Sequence, residues 1–421
     1  MAHDRPPRVR IDDYASPRFS PEMTQMRAAV APLAEQLRLE PDVLLTDAAA
    51  QTGLDDFGDR GFEERLGVLL RALREEAGLS PFGVVSNYSL LLQLLKNRLL
   101  IQDVLVHHPE IHEVRIERPI VIAGLPRTGT THLHNLIAAD PALRSLPYWE
   151  SLEPVLAESE RPAPGNPDPR LARTAAALHV VDAMLPLFKR MHEMTVDHVH
   201  EEIQLLAIDF STMLFDTIAP MPSWRDYYRS HDQTPHYEYL RTVLKVLQWL
   251  RGGTRWVLKS PQHLEQFGPL ATVFPDATIV VTHRDPVSVT VSMATMVAYT
   301  ARMYVERPDP IAIGGYWSAR VEDLLTACVR DHHLLPAERS IDVRFDEFMA
   351  DDVGTVERVY ALARQPMTPT ARAAMNGFMA EHPRGKHGAV VYALADFGLD
   401  ATERRAALRF YSERFGVPSE P

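Results

Sequence analysis

The chain has 421 residues, of which 46% are hydrophobic and 24% are charged, and its formal net charge is −12. These proportions are typical of a folded globular protein, and the length allows one large core with room for a smaller unit. The acidic balance argues against broad nucleic-acid binding. The single cysteine, Cys328, excludes an internal disulfide bond and suits a reducing compartment.

Membrane and export signals are not predicted. The first residues, MAHDRPPRVRIDDYASPRF, have no apolar central region of the kind found in secretory signals. The longest apolar candidate, SLLLQLLKNRLLIQDVLV, is interrupted by polar residues and falls short of the roughly 20 apolar residues that cross a bilayer. Its helical spacing predicts an amphipathic core helix instead. We therefore expect a cytoplasmic protein without a transmembrane segment.

Two regions are predicted along the chain. Residues 1–115 should form a helical N-terminal region that packs on the core, because EMTQMRAAVAPLAEQL and FEERLGVLLRALREEAG carry apolar residues at i, i+3 and i+4. Residues 116–421 should form the main domain, with a helical substrate-site insertion at about residues 150–250. Within that insertion, TAAALHVVDAMLPLFKRMHEM and HEEIQLLAIDFSTMLF predict helices.

Four short runs predict buried strands in the main domain. They are PIVIAG, RWVLKS (255–260), ATIVVTHR (277–284) and SIDVRF (340–345), and helical segments alternate with them. Strands that alternate with helices indicate a mostly parallel sheet covered on both faces. The predicted fold class is α/β, with a P-loop-like, mostly parallel sheet flanked by helices and a helical N-terminal lead-in.

The stretch PIVIAGLPRTGTTHLHNLI predicts a strand, a glycine-containing turn and a helix. Such a turn directs several backbone N–H groups and the positive end of the helix dipole at one point, which suits phosphate or sulfate. Gly124 and Gly129 keep the glycine spacing of a nucleotide-hydrolase loop, but Thr130 stands at its lysine position and Arg127 supplies a cation earlier. ATP or GTP hydrolysis is therefore disfavoured.

Three motifs in order along the chain resemble those of the sulfotransferases. They are GLPRTGTT, LKSPQHL at 258–264 and FPDATIVVTHRDPVSVTVS at 274–292. The likeness is to the bacterial sulfotransferase family that also resembles the tyrosylprotein sulfotransferases, and it covers most of the chain. It implies transfer of a sulfuryl group from 3′-phosphoadenosine 5′-phosphosulfate to a hydroxyl of a small-molecule or lipid-like acceptor, in line and without a metal.

The resemblance also implies where the donor binds. The 5′-phosphosulfate would be held by the loop residues Arg127, Thr128, Gly129, Thr130 and Thr131. Arg284 and Ser292 would hold the 3′-phosphate, since a guanidinium grips it in a bidentate manner and a hydroxyl adds a second bond. The basic segment PRGKHG resembles the third phosphate-binding segment of the family, and its candidate phosphate ligands are Arg384 and Lys386. Phe345 stands where relatives often place a tyrosine, so a hydroxyl contact to the donor is not expected from this position.

Lys259, in LKSP, matches the family lysine that contacts the bridging oxygen and the sulfuryl group. A second group must take the proton of the acceptor hydroxyl, and the sequence leaves three candidates for that base. His263 ranks first, because an imidazole suits this role near neutral pH. Glu202, or its neighbour Glu201, ranks second, and Glu150 ranks third because it lies near the carboxylate position of the tyrosylprotein relatives.

Two other readings of the sequence compete with a sulfotransferase. One is a P-loop kinase or nucleotide hydrolase, which magnesium-dependent ATP turnover would support. The other is a non-catalytic nucleotide-binding relative, which would bind the donor without turnover. The sequence indicates neither the identity of the acceptor nor the oligomeric state.

Overall fold

A four-stranded parallel sheet lies at the centre of the fold, in a computed structural model that describes residues 6–420. Its strands are β1 (Ile120–Gly124), β2 (Val257–Ser260), β3 (Thr278–His283) and β4 (Ser340–Arg344), in the order β2-β1-β3-β4. The four predicted strand runs and the predicted α/β fold are confirmed. Residues 1–5 of the predicted N-terminal region and residue 421 lie outside the described residues.

Both faces of the sheet are covered, because alternate residues of each central strand enter two different cores. Val121 and Ala123 of β1 join a large core that also contains N-terminal helical residues such as Leu69. Ile120 and Ile122 join a smaller core on the opposite face. The near-continuous apolar runs of the strands follow from this burial on both sides.

Helices surround the sheet and form most of the described N-terminal region before β1. Their bounds within residues 6–420 are α1 (Pro21–Ala29), α2 (Ala31–Ala34), α3 (Pro41–Thr52), α4 (Phe62–Glu75), α5 (Pro81–His107), α6 (Thr130–Ala138), α7 (Tyr148–Leu152), α8 (Pro169–Met184), α9 (Ile203–Leu206), α10 (Pro222–Ser230), α11 (Thr234–Arg251), α12 (Phe267–Val273), α13 (Pro286–Thr300), α14 (Pro310–Asp331), α15 (Phe345–Ala350), α16 (Asp352–Ala363), α17 (Pro369–Glu381), α18 (Ala401–Ala407) and α19 (Arg409–Phe415).

The long apolar candidate segment lies within α5, as its helical spacing predicts. Two of the polar residues that interrupt it, Asn97 and Arg98, are buried. Arg98 donates to Asp209 at 2.7 Å, and Asn97 donates to the carbonyl of Leu152 at 2.8 Å, so both polar groups are satisfied inside the protein. No helix in the described part of the chain combines the length and the apolarity needed to cross a membrane.

The insertion contains less helix than its sequence predicts. The predicted helix over HEEIQLLAIDFSTMLF is wrong, because only α9 is α-helical and Phe210 has a left-handed φ of 52°. The segment from Glu202 to Met213 is buried throughout, so its apolar residues fill the core from several sides rather than from one helix face. The other predicted helix ends at Met184, because Pro186 disfavours helical backbone at the residue before it.

The carboxyl edge of the sheet collects the residues that the motifs single out. The loop around Arg127 follows β1, Lys259 lies near the end of β2, and Arg284 follows β3. Because β2 and β3 lie on opposite sides of β1, the chain changes direction across the sheet at this point. In open α/β sheets, such a switch point opens a crevice where ligands bind.

Candidate active site

The loop between β1 and α6 is tightly turned and opens the N-terminus of α6. Gly129 has a φ of 87°, which glycine adopts without steric cost, and Arg127 has a φ of 73°, which is strained for a residue with a side chain. A Cβ atom at Gly124 would lie 2.0 Å from the Thr282 hydroxyl oxygen, so the close approach to β3 requires glycine there. Free N–H groups at the start of α6 can bind an anion.

A cleft of about 580 Å³, here called the polar cleft, lies in front of this loop. Its lining combines the loop and the start of α6 with residues from the ends of β3 and β4 and from the segment 191–199. The polar cleft is defined by Arg127, Gly129, Thr130, Thr131, His192, His198, Arg284, Phe345 and Phe378, among others. Four of the five loop residues predicted to bind the donor therefore lie in one cleft.

Thr128, the fifth predicted loop residue, has a different position. It is buried, and its hydroxyl donates to the carbonyl of Leu125 at 2.6 Å and lies 2.7 Å from the Thr282 hydroxyl. These contacts tie the loop to itself and to β3. The Thr128 side chain therefore shapes the loop, while its neighbours face the cleft.

Arg127 is fixed by contacts to three separate segments. Its Nε donates to Ser292 Oγ at 3.1 Å, Nη2 lies 3.5 Å from the Tyr392 hydroxyl, and Nη1 donates to the carbonyl of Met191. The predicted phosphate ligand Ser292, near the middle of α13, thus contacts Arg127. This network holds a guanidinium at the mouth of the loop in one orientation.

Arg284 presents a guanidinium fork that is occupied by a carboxylate. Its Nε and Nη2 donate to the two oxygens of Glu420 at 2.6 and 2.7 Å, and Nη1 donates to the carbonyl of Arg127 at 2.7 Å. The guanidinium also stacks on the ring of Phe345 at 4.1 Å. A bidentate contact of this kind is the one that arginine makes with phosphate.

The basic segment near residue 385 borders the polar cleft through its backbone. Gly385 lines the cleft, whereas Arg384 donates to Asp352 and to the carbonyl of Met349. Lys386 Nζ lies 3.6 Å from Glu193. The structure therefore places both predicted cations beside the cleft, each paired with a carboxylate.

A second cavity of about 330 Å³, here called the apolar cavity, adjoins the polar cleft. The two spaces share the lining residues Arg127, Thr130, Thr131 and His192. Aliphatic, methionine and aromatic side chains form most of the remaining wall. They include Leu178, Val181, Leu185, Phe188, Met194, Met213, Leu214, Met293, Met296, Met303 and Trp317.

Lys259 and Glu201 form an ion pair in the wall of the apolar cavity. Lys259 Nζ contacts Glu201 Oε1, and the lysine side chain is 3% exposed. The backbone N–H of Lys259 donates to Glu202 Oε2 at 2.7 Å, on the buried side. The two adjacent glutamates thus have different environments, and the one that lies beside Lys259 in the cavity is Glu201.

His263 and Glu202 belong to a buried chain of hydrogen bonds. One ring nitrogen of His263 lies 2.5 Å from Glu202 Oε1, and the other lies 2.7 Å from the Tyr237 hydroxyl. Both residues are at most 1% exposed, and neither lines the polar cleft or the apolar cavity. Both ring nitrogens of His263 are thus already bonded. Because Glu202 also accepts from the backbone of Lys259, these bonds stabilise the strand end that carries Lys259.

Glu150, the third base candidate, is also enclosed. Its carboxylate accepts two hydrogen bonds from Arg144 Nη2, at 2.9 and 2.7 Å, and lies 3.4 Å from Arg251 Nη1. The residue is fully buried and lines neither the polar cleft nor the apolar cavity. Two guanidinium groups compensate its charge within the fold.

Sequence reasoning missed a group of histidines at the junction of the two spaces. The ring centroids of His192 and His198 lie 5.2 Å apart, and those of His198 and His200 lie 5.9 Å apart. Three histidines within the nine residues 192–200 were the available signal. Among the described residues, no group of three or more histidine, cysteine or acidic side chains is arranged to hold a metal ion.

Burial lowers the pKa of each histidine in this group. Desolvation, followed by the charge of Lys259, lowers the pKa of His198 from 6.5 to about 4. Desolvation places the pKa values of His192 and His200 well below the usual range, with further lowering by neighbouring histidines and Lys259. The three imidazoles are therefore neutral at pH 7, since a proton there would lack solvent and face nearby cations.

The low pKa of His198 predicts a loss of stability in acid. Because the unfolded chain binds a proton near pH 6.5 and the folded chain only near pH 4, the free energy of unfolding falls as the pH drops through this window. Between pH 7 and pH 5 the contribution is about 2 kcal/mol. In urea unfolding, the free energy of unfolding of His198→Gln should fall by about 2 kcal/mol less than that of the wild type between pH 7 and pH 5. His107→Gln, at an exposed position, should show the same fall as the wild type. Equal pH slopes for wild type and His198→Gln would contradict the prediction.

Comparison with known proteins identifies the family of the chain. Residues 119–369 match the sequence model described as the sulfotransferase family. Sulfotransferase STF9 from Mycobacterium avium is similar with a TM-score of 0.80 at 26% identity, covering 91% of this chain and 98% of that one. Sulfotransferase STF1 from Mycobacterium tuberculosis H37Rv is similar with a TM-score of 0.76 at 31% identity, covering 87% of this chain and 97% of that one. The search among curated proteins gave no match.

The match to the family extends over more than half of the chain and includes the loop after β1, Lys259 and Arg284. Both mycobacterial structures share the arrangement of helices around the parallel sheet along nearly their whole length. The resemblance that the three motifs predict is thus confirmed by two independent comparisons. The chain belongs to the sulfotransferase family and is a sulfotransferase with a P-loop-like α/β fold.

Proposed function

We propose that this sulfotransferase transfers a sulfuryl group from 3′-phosphoadenosine 5′-phosphosulfate to a hydroxyl of a small-molecule or lipid-like acceptor. The observation that carries the proposal is that the polar cleft and the apolar cavity meet at Arg127, Thr130 and Thr131. A polar space that presents Arg127 and Arg284 to an anionic donor, with Glu193 and Asp197 also in its lining, therefore adjoins an apolar space suited to an organic acceptor. Lys259 lines the apolar space.

The polar cleft has the chemistry that the donor requires. The start of α6 and the fixed guanidinium of Arg127 supply donors for a phosphosulfate at the loop. Arg284 supplies a bidentate fork for a second phosphate, stacked on Phe345. A sulfuryl group carries less charge than a phosphoryl group, so these fixed donors can stabilise its transfer. Thr130 at the lysine position gives the kinase alternative no support.

The transfer step follows from the positions of Lys259 and Arg127. A bond forms between the acceptor oxygen and sulfur while the bond between sulfur and the bridging oxygen breaks, and the electron pair stays on the leaving 5′-phosphate. Arg127 lines both spaces, and Lys259 lines the apolar one, so their charges can oppose the negative charge on that oxygen. Their fixed orientation makes the stabilisation available without reorganisation.

Glu201 is the proposed base for the acceptor proton. Its carboxylate lines the apolar cavity in contact with Lys259, so an acceptor hydroxyl beside the lysine would reach it. The three candidates from the sequence, His263, Glu202 and Glu150, have their polar atoms bonded within the protein and line neither space. Glu201, which the sequence offered as the alternative to Glu202, is thus the base in the proposed mechanism and accepts the proton that the hydroxyl loses.

Titration with 3′-phosphoadenosine 5′-phosphate and with adenosine 5′-phosphate tests the donor assignment. Charge-assisted hydrogen bonds contribute about 1.5–3 kcal/mol each, so calorimetry should show at least about tenfold weaker binding of the monophosphate. Arg284→Ala should abolish this difference, because the guanidinium fork is then lost. Equal affinity of the wild type for the two nucleotides would contradict the proposal.

Two matched variants sharpen that titration. Glu420→Gln should bind the bisphosphate at least as tightly as the wild type, because the phosphate no longer has to displace a carboxylate from Arg284. Arg372→Ala removes an exposed arginine that pairs with Glu357, and it should bind both nucleotides as the wild type does. Weaker bisphosphate binding by Glu420→Gln would show that Arg284 does not receive the 3′-phosphate.

A further inference from the structure

We infer that the acceptor is an uncharged alcohol with a compact apolar body, bound in the apolar cavity with its hydroxyl between Lys259 and Glu201. The inference rests on the proposed function and narrows its acceptor class. The cavity volume of about 330 Å³ lies at the lower end of the range for small-ligand pockets, about 300–1,000 Å³. The enclosed part of the acceptor is therefore one small molecule.

The charged side chains of the apolar cavity explain why the acceptor is uncharged. Within the described residues, the cavity is lined by only three, Arg127, Lys259 and Glu201. Arg127 lies at the junction with the polar cleft, and Lys259 and Glu201 pair with each other. An ionised group deeper in the cavity would lose its water without gaining a counter-charge, which is strongly unfavourable.

Two of the hydroxyl groups that line the cavity are already bonded within the protein. Thr217 donates to the carbonyl of Leu214 at 2.7 Å, and Thr300 donates to the carbonyl of Val297 at 3.1 Å. Both hydroxyl protons are therefore used by the protein backbone. Tyr148, Tyr304 and Gln204 are further polar groups in a wall that is otherwise mostly aliphatic, methionine and aromatic. A sugar-like acceptor with hydroxyls on every carbon would exchange most of its hydrogen bonds to water for apolar surface, which disfavours it.

Methionine side chains give the cavity an adaptable wall. Five of them line it, on the insertion, on α13 and just after α13: Met194, Met213, Met293, Met296 and Met303. A thioether chain is flexible and polarisable, and it packs against both aliphatic and aromatic ligands. The wall thus selects for apolar character and size rather than for one rigid shape, and both aromatic and aliphatic alcohols belong to the acceptor class.

A comparison of three alcohols tests this class in the intact protein. We would measure binding by calorimetry with the bisphosphate product present, and sulfuryl transfer with the donor, for 2-naphthol, 6-hydroxy-2-naphthoate and sorbitol. 2-Naphthol should bind at least about tenfold more tightly than the other two. The cavity offers no unpaired counter-charge to the carboxylate of the naphthoate, and its mostly apolar wall does not replace the hydrogen bonds that sorbitol makes with water. Equal or tighter binding of the naphthoate or of sorbitol, or no saturable binding of 2-naphthol, would overturn the inference.

Variants of the wall locate the binding site. Met296→Glu on α13 and Leu214→Glu on the insertion each place a carboxylate in the wall, and each should weaken 2-naphthol binding at least about tenfold. Met296→Leu conserves volume and should bind it within a few-fold of the wild type. Unchanged binding in both glutamate variants, with cooperative thermal unfolding retained, would place the alcohol elsewhere. Selective 2-naphthol binding without any bisphosphate binding would instead refute the proposed donor and leave the alcohol-binding cavity established.

Discussion

Replacing Glu201 with glutamine is expected to slow sulfuryl transfer by about 10²–10⁴-fold, the usual contribution of a general base. Glutamine keeps the size of the side chain but cannot take the proton of the acceptor hydroxyl. Glu201 lines the apolar cavity rather than the polar cleft, so binding of the bisphosphate should stay within a few-fold of the wild type. Single-turnover measurements with a poorly acidic alcohol would isolate the chemical step.

The neighbouring glutamate provides the matched control. Glu202 contacts His263 and the backbone of Lys259, so Glu202→Gln should lower the free energy of unfolding by about 1.5–3 kcal/mol, as for a buried charged hydrogen bond. The folded fraction of that variant should keep most of its single-turnover rate. A larger rate loss in Glu202→Gln than in Glu201→Gln, at equal folded fraction, would return the base to the buried pair.

Replacing Lys259 with alanine is expected to reduce turnover by about 100-fold or more, as for the loss of one charge-stabilising donor in an active site. The variant removes the cation that lies beside the junction of the two spaces, while Arg127 and the start of α6 remain in the polar cleft. Bisphosphate binding should therefore stay within a few-fold of the wild type. Steady-state turnover together with calorimetry would separate the two effects.

A distant lysine and a double variant complete this experiment. Lys245→Ala on α11 removes an exposed contact to the carbonyl of His112, and the turnover of this variant should equal that of the wild type. Because Lys259 and Glu201 form one ion pair, the double variant Lys259→Ala, Glu201→Gln should lose less than the product of the single effects. Full turnover in Lys259→Ala would make the lysine a purely structural residue.

The sulfotransferase motifs were readable in the sequence because each lies at the end of a local strand pattern. The apolar run before Gly124 and the helical spacing after Gly129 depend only on neighbouring residues, and they predicted β1, the loop and α6 correctly. Lys259 was singled out by the resemblance, because LKSP matches the motif that carries the family lysine, and it follows the apolar run RWVL. The insertion was less readable, because it is buried on several sides and follows no single period.

The order of the proposed bases shows where local pattern ceased to be informative. Glu201 and Glu202 have the same chemistry and adjacent positions, so no periodicity distinguishes them once the predicted helix through them is absent. Their side chains diverge because Glu202 is bonded to His263, 61 residues away, and to the N–H of Lys259, 57 residues away. Such contacts arise only when β2 and the insertion pack together.

What the sequence by itself determined about this protein is the set of strands, the glycine-containing loop after β1 and the family, since these follow from near-neighbour periodicity and ordered motifs. Only the tertiary structure decided that Glu201 accompanies Lys259, that Arg284 holds Glu420 from 136 residues away, and that an apolar cavity opens beside the loop. These features depend on contacts between segments that are far apart in the sequence and that are buried against each other in the fold. Which segments pack together is determined by the close packing of the whole chain and not by the sequence of any one segment.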